Sequence, residues 1–165
     1  MLILYASHKI FSLIKMKDLD DVMADEFFAT APRWGGSLSR DEADTMVSGK
    51  FYLMNLDPEG GGTHWTLCYL GRKYGIYFDS FGVDPPQAVL KRMKELKKEN
   101  IMNNSQFQGI RSNLCGYFCL YVASQLLKGR AFMTILDDFD QTHLNDNGRL
   151  VMKWFDKISG ASKGE

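Results

Sequence analysis

Three residues in this sequence are of the types, and stand in the order, that can build a thiol nucleophile. His64 follows a glycine run in GGGTHW, Asp79 comes fifteen residues later in YFDSFG, and Cys115 comes 36 residues after that in NLCGYFCLY. An imidazole beside a thiol can take its proton and return it to a leaving amine. A carboxylate behind the imidazole fixes its tautomer and stabilises the imidazolium. The expected contact is a hydrogen bond from His64 Nδ1 to Asp79. Cys115 opens the most apolar stretch of the chain, where the positive end of a helix and a neighbouring imidazolium both favour a thiolate. Gln108, seven residues before Cys115, can donate an amide N–H to a developing oxyanion beside the Cys115 backbone N–H. Gly116 permits another backbone to approach the nucleophile closely.

These residues need elements to hold them. His64–Leu70 and Tyr74–Asp79 read as two strands joined by a Gly71–Lys73 turn, a hairpin that would bring His64 and Asp79 to one end. Cys115–Leu127 reads as a buried helix stopped at Lys128-Gly129. Asp18–Phe28 has near-helical apolar spacing and is ended by Ala31-Pro32 and a Gly35-Gly36 turn. Ser39 with Glu42 looks like a helix start, and Phe51–Leu56 like a strand. Pro85 and Pro86 fit the first turn of a helix running to about Asn100, and Ile101–Phe107 can return to the sheet. Leu150–Ile158 reads as a last amphipathic helix. The chain shows no repeat, linker or low-complexity block, so residues 1–165 form a single α+β domain, with 1–15 peripheral, a second start conceivable at Met16, and 159–165 a disordered tail.

Composition sets outer limits. Lys+Arg and Asp+Glu are equal at 20 each, which removes a global electrostatic case for nucleic acid or membrane as main partner. Three cysteines without a C-x-x-C pair exclude a disulfide scaffold and a standard zinc pattern, and suit a reducing compartment. The apolar start is broken by His8, Lys9 and Lys15; it lacks a basic leader region and falls short of the ~20 apolar residues of a membrane span. Cys68 and Cys119 read as core thiols, and His8 and His143 as structural or exposed. The triple glycine lacks the GK[ST] of a phosphate loop. Lys91, Arg92, Lys94, Lys97 and Lys98 form a local basic run, either a solvated helix face or a weak phosphate contact.

Taken together, GGTHW, YFDSFG and QGIRSNLCGYFC resemble the signature of the adenovirus endopeptidase class of cysteine proteases, which includes the SUMO proteases. NLDPEGGGTHW and FDSFGVDPP are most similar to the capsid-maturation proteases of virophages and Maverick/Polinton elements. The likeness covers roughly Phe51 to Gln125, with a weaker echo from Asp18 to Met46.

The resemblance implies a papain-like α+β fold with the nucleophile helix packed on a small mixed sheet. It implies His64 as general base, Asp79 as its orienting acid, Gln108 as the oxyanion glutamine and Cys115 as nucleophile. Gln106 lies nearby, and the seven-residue offset selects Gln108. Trp65 resembles the indole that roofs a narrow tunnel fitting only a Gly-Gly-like segment, with Trp34 as a candidate second wall and Gly116 beside the nucleophile. The implied function is a viral endopeptidase that cuts capsid precursors at Gly-containing sites during maturation, acting as a monomer in the virion and infected cell. An enzyme removing ubiquitin-like modifiers, and a non-catalytic binding module of the same fold, are the alternatives. No cofactor is required, although the adenovirus enzymes of the class use DNA and a peptide as activators. A disulfide-linked peptide activator has no counterpart here, because Lys97 occupies that region and no cysteine lies between Cys68 and Cys115.

Overall fold

The computed structural model describes residues 19–56, 64–97 and 99–160. The N-terminal stretch, the glycine run, Lys98 and residues 161–165 lie outside the described residues. The elements are α1 (Asp21–Phe27), β1 (Trp34–Ser39), a 3-10 helix (Arg40–Thr45), β2 (Phe51–Asn55), β3 (Trp65–Leu70), β4 (Tyr74–Phe78), α2 (Gln87–Leu96), β5 (Glu99–Met102), α3 (Cys115–Leu127), α4 (Phe132–Leu136) and α5 (Leu144–Ser159).

The five strands form one mixed sheet in the order β1-β2-β3-β4-β5. The outer pairs β1/β2 and β4/β5 are parallel, and the inner pairs are antiparallel. Because side chains alternate along a strand, each inner strand feeds two cores. Phe51, Leu53, Trp65, Leu67, Tyr69, Ile76 and Phe78 share one apolar cluster with α1, α3 and α5. Tyr52, Met54, Cys68, Leu70 and Tyr77 share the other with Met46, Val89 and Met93. Covering both faces explains why β2 and β3 read as unbroken apolar runs. Helix α3 is buried nearly all round, with Phe118, Leu120 and Val122 fully enclosed, as an apolar helix must be.

The expected α+β architecture, a cysteine-bearing helix against a small mixed sheet, is present, and the β3–β4 hairpin is antiparallel as read. Four local expectations change. Gly35-Gly36 is not a turn but part of β1, where Gly36 takes φ +111° at a register shift, a bulge in an edge strand. Gly35 has no Cβ because the Tyr52 ring would lie 2.2 Å from it. Pro85 and Pro86 precede α2, with Pro86 as its N-cap, and the chain leaves the helix at Leu96 because Glu99–Met102 pairs with β4. Helix α5 begins at Leu144, earlier than Leu150, because buried Asn147 and close-packed Gly148 are held by tertiary contacts despite poor helix propensity. Ser159 completes that helix and Gly160, at φ +76°, caps it, so these two residues belong to the helix and not to the expected tail. Glu42 reaches back to accept the Ser39 N–H at 2.9 Å, as the pattern predicts.

Candidate active site

The hairpin register pairs Leu67 with Phe78, so His64 and Asp79 emerge at the same end of the sheet. They meet there: His64 Nε2 lies 3.0 Å from Asp79 Oδ1. The contact uses the nitrogen opposite to the one expected. Nδ1 is instead buried, without a hydrogen bond of ordinary geometry, and the thiol of Cys115 acts on the same ring. The correction has a simple cause. His64 stands just before β3 and Asp79 just after β4, and the distal ring nitrogen, Nε2, is the one that reaches the carboxylate.

Asp79 is 1% exposed and held on all sides. Its Oδ1 also accepts the Phe81 N–H at 2.8 Å, and Phe81 leans over the imidazole with ring centroids 5.0 Å apart. Asn103, on the chain leaving β5, clamps the Asp79 backbone twice. Its Oδ1 accepts the Asp79 N–H at 3.0 Å, and its Nδ2 donates to the Asp79 carbonyl at 2.6 Å.

Cys115 is the first residue of α3, where the helix itself supplies no acceptor for the N–H. Its sulfur accepts the Trp65 N–H at 3.4 Å. One turn later the Cys119 thiol donates to the Trp65 carbonyl at 3.5 Å, so the start of β3 is fastened to the start of α3. Gln108 is also brought in, 1% exposed. Its Oε1 accepts from the Ser80 hydroxyl at 2.5 Å and its Nε2 donates to the Ser112 carbonyl at 2.7 Å. Gln106 turns away from this role and donates to the Gln108 carbonyl.

The chain has the fold of the ASFV pS273R protease. One crystal structure of that protein aligns with a TM-score of 0.59 at 13% identity, over 88% of this chain and 65% of the other. A second, of its Se-Met form, aligns at 0.50 and 18% identity, over 66% and 43%. The chain thus spans between about two fifths and two thirds of the protease it matches. No family model matches the sequence, and no curated protein does either.

The electrostatics follow from this burial. Desolvation pulls the His64 imidazole down, but the hydrogen bond to Asp79 and then the interaction with Cys115 outweigh it and raise the imidazole to about 9. Burial does the reverse to the other two thiols, pushing both Cys68 and Cys119 well above the ordinary thiol range. Among the described residues, no group of three or more His, Cys, Asp or Glu side chains could hold a metal ion, and no helix is long and apolar enough to cross a membrane.

The remaining expected residues fall differently. Trp65 is buried beside the nucleophile, its backbone N–H on the Cys115 sulfur, and its indole N–H donates to the Leu19 carbonyl at 2.9 Å. Gly116 is needed for a close approach, but the neighbour is the Leu19 side chain, 2.4 Å from where a Cβ would be. Trp34 does not reach the site. It is level with Phe51, which pairs with Tyr69, whereas Trp65 pairs with Asn55; four residues of strand, about 13 Å, intervene. Its indole packs on Phe28 and Phe51 and bonds Asp25. In the basic run, Arg92 turns onto the Met46 carbonyl and Glu95, leaving Lys91 and Lys94 exposed on α2.

Sequence reading missed Ser80, Asn103 and Asn147. Ser80 adjoins Asp79, and its carbonyl accepts the N–H groups of both Phe107 and Gln108. Asn147 on α5 donates to the Phe107 carbonyl at 2.9 Å. Next to it, Gly148 admits Leu114, whose methyl lies 3.2 Å from where a Cβ would be. The only sequence signal was the polar run Asn103-Asn104-Ser105 directly after Ile101-Met102.

Proposed function

We propose that the chain is a cysteine endopeptidase. The reading is carried by the convergence of His64, Asp79, Gln108 and Cys115 from three separate elements and a loop. Asp79 accepts from His64 Nε2, which leaves Nδ1 as the nitrogen that exchanges a proton with the thiol. The thiolate attacks a peptide carbonyl, forming the C–S bond while the carbonyl oxygen takes up the electron pair. The Gln108 amide and the Cys115 N–H bind that oxyanion; losing one such donor costs about 100- to 1,000-fold in rate. Nδ1–H then protonates the departing amine. Water, deprotonated by the same nitrogen, releases the acyl group and restores the thiol.

A narrow approach supports a glycine-containing substrate. Cys115 is only 5% exposed, its sulfur accepts the Trp65 N–H, and its neighbour Gly116 packs against Leu19; residues without a Cβ pass where larger ones do not. Capsid precursors cut at Gly-Gly-like sites during virion maturation, in the infected cell and the particle, are the substrate that the sequence likeness to virophage and Maverick proteases suggests. The two exposed lysines of α2 allow at most a weak nucleic-acid contact.

Cleavage assays on two panels test the reading: capsid-derived Gly-Gly peptides and ubiquitin-like modifier fusions. Cleavage of the peptides, abolished by Cys115→Ala, supports the proposal. Efficient cleavage of modifier fusions alone moves the substrate to deconjugation. Full activity of Cys115→Ala overturns the mechanism, and no cleavage of either panel by the intact chain favours a binding module.

A further inference from the structure

An oxyanion-binding glutamine works only if its amide is held the right way round, because one end offers hydrogen and the other a lone pair. Both ends of Gln108 are engaged: Oε1 takes the hydroxyl hydrogen of Ser80, and Nε2 gives one hydrogen to the Ser112 carbonyl. The second hydrogen on Nε2 remains for a substrate oxygen. Ser80 is fully buried, so no solvent can substitute for its hydroxyl. Without it, Oε1 would be left without that donor in a dry site and would gain by swinging toward another, carrying Nε2 with it. The backbone of Ser80 adds to the hold by accepting the Phe107 and Gln108 N–H groups at 2.8 and 3.0 Å.

Ser80 is also the residue after Asp79. The same two-residue turn therefore fixes the acid behind His64 with one side chain and the oxyanion donor with the next, across 28 residues of sequence. We propose that Ser80 is a positioning residue for the reaction, acting through the Gln108 amide. The proposal rests on the reading of Gln108 as oxyanion donor.

The test compares Ser80→Ala, Gln108→Ala and the double variant, with a peptidyl-Gly-Gly aminomethylcoumarin substrate and the matching peptide aldehyde. Ser80→Ala is expected to lower kcat about 10- to 100-fold, below the full loss of a donor, with KM within twofold. The aldehyde, whose adduct places an oxyanion in the same hole, should weaken by a similar factor. The pH profile of iodoacetamide alkylation at Cys115, which needs no oxyanion hole, should not move. The double variant should be no worse than Gln108→Ala alone. Losses that multiply in the double variant, or an alkylation profile that shifts with turnover, overturn the proposal in favour of a general packing role. If Gln108→Ala itself leaves turnover and aldehyde affinity intact, the premise about Gln108 fails instead, a distinct result. The Gln108 side-chain amide NMR signals give a reading without substrate: unchanged signals in Ser80→Ala also overturn the proposal. Ser80→Cys, similar in size and a weaker donor, should fall between wild type and Ser80→Ala, and serves if the alanine variant does not fold.

Discussion

Trp65 donates its backbone N–H to the sulfur of Cys115 over 3.4 Å, tying the strand that follows His64 directly to the nucleophile helix. The Cys119 thiol secures the same residue from its carbonyl side. Two of the three cysteines therefore touch one residue, yet their chemistry should differ completely. Cys119 and Cys68 are fully enclosed and pushed far up by burial, whereas Cys115 faces an imidazole. Iodoacetamide near pH 6 should add once, at Cys115, and not at all to Cys115→Ala. Intact-mass spectrometry reads this directly, and equal labelling of Cys68 or Cys119 would contradict an activated nucleophile.

The His64–Asp79 contact sets a pH window. The folded imidazole is raised to about 9 from an ordinary 6.5, so the charged form favours the fold. That contribution is complete below pH ~6.5 and disappears as pH climbs through about 9. The urea midpoint of the wild type should therefore fall more between pH 6 and 9.5 than that of His64→Gln. Proteolysis, which needs the imidazolium to protonate the leaving amine, should share the alkaline limit near 9. In Asp79→Asn desolvation is left with less opposition, and that limit should move to lower pH.

At Gly116 the space for a side chain is already taken by Leu19. Gly116→Ala should force Leu19 or the first turn of α3 aside, at a cost of about 1–3 kcal/mol. Chemical denaturation checks the loss. Gly116→Ala combined with Leu19→Gly should lose less than the sum of the two single variants, since the Leu19 Cβ that collides most closely, 2.4 Å away, is then gone with the rest of the side chain.

Trp34 provides a negative control. Its ring packs on Phe28 and Phe51, away from the nucleophile. Trp34→Ala should lower stability by up to about 3–5 kcal/mol while leaving kcat/KM per folded molecule unchanged within about twofold. A selective rise in KM for Gly-Gly peptides would restore the tunnel-wall role.

What could be read from the sequence divides along physical lines. The helix from Cys115 to Leu127 and the strands around it announce themselves through apolar runs, turn residues and a glycine stop, because local propensity and burial agree there. His64, Asp79, Gln108 and Cys115 were legible because their types are rare and their order is informative. The ring nitrogen that meets Asp79 was not, since it depends on where β3 ends in space. Ser80, Asn103 and Asn147 act through hydrogen bonds to groups 24 to 40 residues away, and nothing local distinguishes them from loop polar residues. Strand β1 was hidden because its two glycines form a bulge that looks like a turn on paper.

Asn147 and Gly148, on α5, hold Phe107, the residue before Gln108, and Leu114, the residue before Cys115. Translation runs from the N-terminus, so these two residues leave the ribosome after every group that does chemistry. A chain complete only through Cys115 carries its thiol, imidazole and carboxylate and the Ser80 contacts to Gln108, but it lacks the Asn147 bond to Phe107. The loop that carries Gln108 therefore gains its last anchor only when helix α5 packs against it.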